Sequence, residues 1–571
     1  MALSLLLASG MLAVSWTAWC LVSLLVNITR ARATTLPSVI LPCSLLGAPW
    51  LLTQPLTVPC LRALPAAWTA SWLPLLLFND GWHNGYEPFE RVGADTFLAV
   101  SPGGLILYTC DAEVSTQLFR DGRFGKPAHL MQVLNIFGPT MTGTDGAESR
   151  LYRRIAAPFF NEATMRQVFS HSVQGGEALV PVLSQATTYP RLRTLAARLS
   201  LNMVSRVCYH SQDQDDLVEA LRFEDRPQGT HRMSYSEAMH TLLDNYMPAF
   251  LLPKKILELS PLSSHRNAGI AFAEMAQYMQ ELKSPNQSNI SPDPKSSSLL
   301  DLLTQAPNLQ DPQITGQIWL FQFAGHEANA NTLTFIILLL ACHPVTQRSL
   351  QHTLDTIVGD FPSSEWTYDA HYKPLMNSLL GGIINEALRL FTVLPVLPKH
   401  VPENGPAIPV TVKGNVHAVP AGTVAFVNTS ATHRHPRYWP RREGDEGGRD
   451  ERKRPFAVSD FWPERWVQNE GFLTPEPGTF VPFSEGARGC LGYRFALVEL
   501  CAVVARLFKE NSVRLLTRGE EGGEDGVWGA GKDSWEKARE RAELALSEGV
   551  RFDMSLRVMR NVPVRFETRV A

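Results

Sequence analysis

The sequence predicts a mainly α-helical fold with small β-sheets, preceded by a single transmembrane helix. Three observations carry this. The first charged residue is Arg30, so an uncharged apolar run opens the chain. Helical periodicity dominates most of the remainder. Strand patterns are few, short and gathered around turns. At 571 residues the chain has room for one large enzyme and an anchor. With 45% apolar and 19% charged residues it can bury a substantial core. A net charge of −3 gives no argument for nucleic-acid binding. The eight cysteines show no CxxC pair and no zinc-ligand spacing, which fits a reducing compartment.

Leu3 to Val26 is apolar enough and long enough to span a bilayer, as a helix over about residues 3–27. Arg30 and Arg32 follow it and place the downstream domain on the cytoplasmic side. A cleaved signal peptide would carry its basic residues ahead of a shorter apolar core. Residues 1–33 are therefore read as an uncleaved anchor. Residues 34–86 are apolar but interrupted by Pro37, Pro42, Pro49, Pro55, Pro59 and Pro65, which argues against a second spanning helix. This segment is expected to lie against the membrane or to line a substrate entrance. The Asn27-Ile-Thr29 sequon sits at the membrane edge and is expected to be idle.

Residues 87–571 read as one catalytic domain. Phe97 to Tyr108 reads as two strands around Pro102-Gly103-Gly104. Helical patterns follow over Ala163–Val180, Thr194–Cys208, Tyr235–Tyr246, Asn267–Leu282 and Pro312–Cys342. Short strands return near Val410–Val412, Thr423–Val427 and Val564–Phe566. Lys283–Ser298 reads as a polar loop. Residues 441–454 and 519–541 are charged, Gly-rich stretches read as solvated insertions.

The chemistry concentrates in Phe483-Ser-Glu-Gly486-Ala-Arg488-Gly-Cys490-Leu-Gly492. Apolar residues then recur at helical spacing through Ala496, Leu497, Leu500, Val503, Val504 and Leu507, which puts Cys490 at a helix N-terminus. There the dipole and free N–H groups favour a thiolate, the form that ligates metal. Gly486 and Gly492 allow tight turns and close approach to a flat macrocycle. Arg488 offers a bidentate partner for a haem propionate. The bland reading is a structural cysteine in a Gly-rich turn. The segment resembles the haem-ligand signature of the cytochrome P-450 family, Phe-x-x-Gly-x-Arg-x-Cys-x-Gly, at every fixed position. That resemblance implies the family fold, haem with Cys490 as its axial iron ligand, and cofactor contacts from Phe483, Arg488 and Gly492.

Within the Pro312–Cys342 helix stands Phe323-Ala324-Gly325-His326-Glu327-Ala328-Asn329-Ala330-Asn331-Thr332. A zinc-protease pair is ruled out because Ala330 occupies the second histidine position. The segment resembles the family's oxygen-activation motif, Ala/Gly-Gly-x-Asp/Glu-Thr-Thr/Ser. Ala324, Gly325 and Glu327 match, while Ala328 and Asn329 replace the two hydroxyl residues. Thr332 is one turn on, roughly 6 Å away, too far to substitute directly. Protons are then expected by way of Glu327, Asn329, water or a substrate hydroxyl. Glu327 is the preferred carrier on condition that burial raises its pKa.

Glu386-Ala-Leu-Arg389 and Phe461-Trp-Pro463-Glu464-Arg465 resemble two further family motifs, implying a buried, structural Glu386–Arg389–Arg465 network. Ser149 to Arg154 resembles the family's Trp-x-x-x-Arg helix, with Ser149 in the tryptophan position. It implies a propionate contact from Arg153, with Arg154 the alternative; Lys399 or His400 is a further candidate. Family resemblance implies an enzyme that inserts one oxygen atom from dioxygen into an apolar small-molecule substrate, in specialised (secondary) metabolism. It implies electrons from NADPH through a separate NADPH-cytochrome reductase, and a single-pass location in the endoplasmic reticulum membrane. Gly486, Gly489 and Gly492 have the wrong spacing for a dinucleotide loop. Two rival readings stay open: a haem-thiolate isomerase, dehydratase or peroxide-using enzyme, and a non-catalytic membrane haem carrier or gas sensor.

Overall fold

The computed structural model describes residues 2–185, 192–209, 227, 229–283, 298–440, 460–468, 471–517 and 534–569. The chain divides into two compact units. One comprises Met1–Pro127, Leu394–Pro455 and Thr474–Cys490; the other comprises Ala128–Val393, Phe456–Leu473 and Leu491–Ala571.

The first unit is organised by a mixed five-stranded sheet. Thr96–Ser101 and Gly104–Thr109 form the expected antiparallel hairpin. Ser38–Ile40 lies parallel to the first of them, and Val424–Asn428 lies parallel to the second. Val396–His400 closes the edge, antiparallel to Val424–Asn428. The central strands are buried on both faces, which explains why they read as near-continuous apolar runs. Leu98, Val100, Leu107, Val114, Leu118, Phe119 and Ala425 share one core. Ile408–Val412 and Asn415–Val419 make a second hairpin.

The N-terminal helix runs Ala2–Arg32. Among the described residues it is the one unbroken helix long and apolar enough to cross a membrane. Its last turns belong to the sheet. Ser23 Oγ donates to Pro102 O (2.5 Å), Asn27 Nδ2 to Ser101 O (2.9 Å) and Arg30 Nη2 to Ala421 O (2.5 Å). Ala31 and Leu36 enter the core described above. The stretch ahead of Ser23 is about 31 Å of helix, against about 30 Å of bilayer hydrocarbon. On it Met11, Val14, Trp16, Trp19 and Val22 are exposed. The Asn27 amide, which a glycan would need, is buried and engaged. Residues 34–86 are folded into this unit through Leu36, strand Ser38–Ile40 and helix Ala48–Arg62, and Trp50 Nε1 donates to Leu76 O (3.0 Å).

The second unit is mainly helical. Helix Asp311–Cys342 opens on a Gln310/Gln313 capping box with Pro312 in its first turn. It is apolar almost all round, and accordingly buried almost all round. It packs on helix Leu192–Tyr209, while helix Tyr493–Glu510 packs on Glu162–Gln185. A Cβ on Gly325 would come within 2.8 Å of Val204 Cγ2. Gly325 therefore serves the close approach of two helices. Tyr235–Asp244 and Ser263–Leu282 are helical as expected. Asn511–Leu515 pairs with Val564–Thr568, and Val550–Phe552 with Leu556–Val558.

Residues 441–454 and most of the 283–298 loop lie outside the described residues. So does 519–541 as far as residue 533. The remainder of that stretch differs from expectation: it opens helix Trp535–Ser547, with Ala538, Ala542, Ala545 and Leu546 buried. Small alanines carry the apolar stripe, and the charges around them obscure it in the sequence.

Candidate active site

In the first unit, the loop from Thr474 to Cys490 is shaped by left-handed backbone at Ser484 (φ 59°) and Gly486 (φ 70°). A Cβ at Gly486 would stand 2.2 Å from the Phe119 carbonyl oxygen, at the end of helix Ala112–Arg120. Glycine is needed there for backbone contact within the chain. The Cys490 N–H donates to Phe483 O (2.8 Å) and the Gly489 N–H to Gly486 O (3.0 Å), closing the loop on itself. Glu485 Oε1 accepts from the Gly478 N–H (3.1 Å), and its other oxygen lies 3.6 Å from Arg120 Nη2. Phe483 and Arg488 are half-buried, and Cys490 is exposed at the loop's end. Cys110, by contrast, is buried in the same unit. Lys399 Nζ stands 5.7 Å from the Phe119 ring centre, so Phe119 meets both the Gly486 turn and Lys399.

The second unit resumes at Leu491. Gly492 caps helix Tyr493–Glu510 with φ −90°. An added Cβ there would find its nearest neighbour, Phe160 Cε1, at 3.7 Å. Nothing in the backbone demands glycine at 492. Phe160 also lies 6.1 Å, ring to ring, from Phe321. From Thr315 onward helix Asp311–Cys342 is largely buried, but Ala324 is exposed and Phe321 and Ala328 are partly exposed. These three positions share one face. Helix Gly146–Ala156, carrying half-buried Arg153, leads into the Ala157–Phe159 turn next to Phe160. Ser149 is buried, its Oγ donating to Met141 O (2.8 Å).

Glu327 turns to a different set of partners. Arg193 Nη2 donates to its Oε1 (3.0 Å), as do Ser555 Oγ (3.1 Å) and Asn331 Nδ2 (3.2 Å). Burial acts to raise its pKa, but the Arg193 and His326 charges and these donors outweigh burial and lower it to about 2. The condition set for Glu327 as proton carrier is therefore reversed: it is held ionised. Asn329 is buried and donates from Nδ2 to Glu499 Oε2 (2.7 Å), while Ser200 Oγ donates to Oε1 (2.6 Å). Burial raises Glu499 to about 7 against the pull of these two donors.

Glu386, Arg389 and Arg465 do come together. Arg389 binds Glu386 bidentately (2.8 and 2.7 Å), and Arg465 Nε lies 3.3 Å from the same carboxylate. Trp466 Nε1 adds a donor at 2.9 Å. Sequence reasoning missed Arg193, Ser555, Ser200 and Trp466, whose separations carry no local signal. Glu499 was visible as a lone charge in Leu497-Val-Glu-Leu-Cys501. Asp95, Cys110 and His435 form a buried, metal-capable group. The Arg437 N–H donates to His435 Nδ1 (3.2 Å), so Nε2 carries the proton and faces Asp95 Oδ1 (3.2 Å). No ring lone pair remains for a cation, and the group is structural.

In the first unit, the exposed Cys490 at the end of the loop closed at Gly486, two residues after Arg488, fits a thiolate metal ligand with a cation for an anionic cofactor group beside it in sequence. The cytochrome P450 family model matches residues 123–525. The chain belongs to the cytochrome P450 family. Membership makes it an enzyme of the P450 monooxygenase class, with haem held through a cysteine thiolate. It is 26% identical over 543 residues to cytochrome P450 monooxygenase prx9 of Penicillium rubens, covering 87% of this chain and 89% of the relative. It is 24% identical to the phomenoic acid biosynthesis cluster cytochrome P450 monooxygenase of Leptosphaeria maculans, covering 85% and 88%. The solved haem domain of cytochrome P450DA matches with a TM-score of 0.59 at 19% identity, over 85% of this chain and 92% of that one. This likeness shows the P450 fold.

Proposed function

We propose that this P450 inserts one oxygen atom from dioxygen into an apolar small-molecule substrate in specialised metabolism. Electrons come from NADPH through a separate NADPH-cytochrome reductase. The anchor ahead of Ser23 holds the enzyme in the endoplasmic reticulum membrane with its catalytic domain cytoplasmic. The observation that carries the reading is the exposed Cys490 at the end of a self-closed loop, two residues before the Gly492 cap of helix Tyr493–Glu510.

Cys490 is the residue that would ligate haem iron, and Arg488, Lys399 and Arg153 would hold the propionates. When bound, haem supplies the dioxygen chemistry and transfer of one oxygen atom to the substrate. The protein's residues do the rest. The helix N-terminus beyond Gly492 favours the ionised sulfur of Cys490. Ala324 and Ala328 keep their helix face low, so that substrate and oxygen fit beside it. Phe321 and Phe160 supply apolar contact and exclude water. Glu327 fixes Arg193 and the turn that bears Ala328. The P. rubens and L. maculans relatives support the reaction class, and the second one's name supports specialised metabolism.

The decisive test is the reduced, carbon-monoxide-bound spectrum. The wild-type protein should show the long-wavelength band of thiolate ligation, and Cys490→Ser should lose it. Retention of the band overturns the assignment. Ala328 favours one second reading, an isomerase, dehydratase or peroxide-using enzyme without a dedicated proton relay. Product formed without NADPH or oxygen consumption would select it.

A further inference from the structure

We propose that His231 is a proton-operated latch between Gly229–Ser234, the segment ahead of helix Tyr235–Asp244, and helix Ser263–Leu282. With a proton on each ring nitrogen the latch is closed, and with one proton lost it opens. All of these residues belong to the second unit, and none belongs to the Cys490 loop.

Glu274, Tyr278 and Glu281 are spaced four and three residues apart, so they share one face of helix Ser263–Leu282. The His231 ring lies along that face. Its Nδ1 is 2.7 Å from Glu274 Oε2, and its Nε2 is 3.1 Å from each oxygen of Glu281. It stacks on Tyr278, with 3.8 Å between ring centres and 7° between planes. The Tyr278 hydroxyl in turn donates to Met233 O (2.9 Å). The His231 side chain is 5% exposed and Glu274 is buried, whereas the Glu281 side chain is 49% exposed.

An ionised carboxylate only accepts, so each ring nitrogen must donate, and only the imidazolium has two N–H groups. Turning the ring over exchanges the nitrogens and leaves this requirement unchanged. Burial works to lower the His231 pKa, but Glu274 and Glu281 outweigh it and raise the value. The other charged and titratable groups nearby are engaged elsewhere or neutral. Arg232 points to solvent, and Lys283 is held by Asp311 (2.6 Å). Tyr235 meets Tyr278 edge-on at 5.3 Å, and burial keeps its hydroxyl neutral. The latch is therefore complete below the ordinary histidine value of 6.5 and is lost as pH rises through the raised one.

Opening moves one proton from a ring nitrogen to solvent water. The bare nitrogen then turns a lone pair towards a carboxylate. Glu274 is buried and keeps the remaining N–H, so Glu281 is the partner that swings out, still held by Gln277 Nε2 (3.0 Å). What comes loose is the start of helix Tyr235–Asp244, which Ser234 caps by accepting from the Glu237 N–H (3.1 Å). The far half of that helix carries His240, 6.2 Å ring to ring from His326 of helix Asp311–Cys342, and Asp244, 2.7 Å from Arg557.

The test follows tryptic cleavage after exposed Arg232 in the full-length, haem-loaded enzyme. The rate is read by mass spectrometry and divided by that of a free peptide with the same bond. Between about pH 6 and 9 it should rise about tenfold, the least expected for losing a hydrogen bond to a charged group. His231→Gln should be cut fast across the whole range. Glu281→Gln, at a half-exposed position, should move the rise to lower pH. A flat wild-type profile overturns the latch, and so does a rise that persists in His231→Gln. If His231→Gln fails to load haem, Glu281→Gln decides, and an unmoved rise in that variant overturns the proposal.

Discussion

Glu327 and Glu499 are both buried carboxylates tied to one helix, and they shift in opposite directions because the neighbours of Glu327 outweigh burial and those of Glu499 do not. Arg193 carries a full charge to Glu327, whereas Ser200 and Asn329 bring only dipoles to Glu499. The consequence for stability has a definite sign. Glu327 is lowered from an ordinary value of 4.5 to about 2, so its contribution is present above pH 4.5 and is lost as pH falls towards 2. Arg193→Gln should destabilise the protein at pH 7 by roughly 3–5 kcal/mol, because it leaves a buried charge unpaired. In unfolding midpoints followed by circular dichroism, the gap between wild type and variant should narrow as pH drops below about 4. A constant gap would mean that Arg193 stabilises by packing alone. Neither pairing was legible in the sequence. Arg193 lies 134 residues from Glu327 and Ser200 lies 299 from Glu499, and no periodicity spans such distances.

Elements that fold on local rules were the readable ones. Asp311–Cys342 announces itself by length, apolar content and Pro312. The Thr96–Thr109 hairpin announces itself by its Pro102-Gly103-Gly104 turn. Ser38–Ile40 was not readable, because its parallel partner Leu98–Val100 gives a three-residue strand no local pattern. Trp535–Ser547 was lost among the charges on its exposed side. The Glu386–Arg389 pair was legible because both members sit on one helix, three residues apart, on a shared face. Its helix, Leu379–Leu390, is fastened by this carboxylate to the Pro463–Trp466 turn through Trp462 N (3.2 Å), Arg465 and Trp466. Glu386→Ala strands the buried Arg389 and the mostly buried Arg465 and should cost roughly 3–5 kcal/mol. Little haem-loaded protein should accumulate, as read from the carbon-monoxide difference spectrum per mole of polypeptide. Normal haem content with selectively lost turnover would instead place the cluster in catalysis.

At the scale of the whole molecule, the N-terminal helix serves two solvents. Its apolar first part suits lipid, and its last turns complete a sheet. Trimming through Val22 should release the protein from microsomes, incompletely because Leu56 and Trp68 remain exposed, and leave its thermal midpoint nearly unchanged. Trimming through Ala33 should lower that midpoint by several degrees, since it also removes Asn27, Arg30 and Ala31 from the sheet. Equal midpoints for the two truncations would show that the docking contributes nothing. In intact microsomes the full-length catalytic domain should be open to added protease, and full protection would reverse the proposed topology.

The seam at Ser23, Asn27 and Arg30 also makes this helix a clamped rod. A helix on a slack linker can lean in the bilayer without disturbing the domain it carries. Here three hydrogen bonds and a packed alanine join helix to sheet, so a lean at one end becomes a rotation at the other. Helices tilt to match their apolar length to the local membrane thickness. Membrane thickness would thereby set the angle at which the sheet of the first unit is presented to the lipid surface.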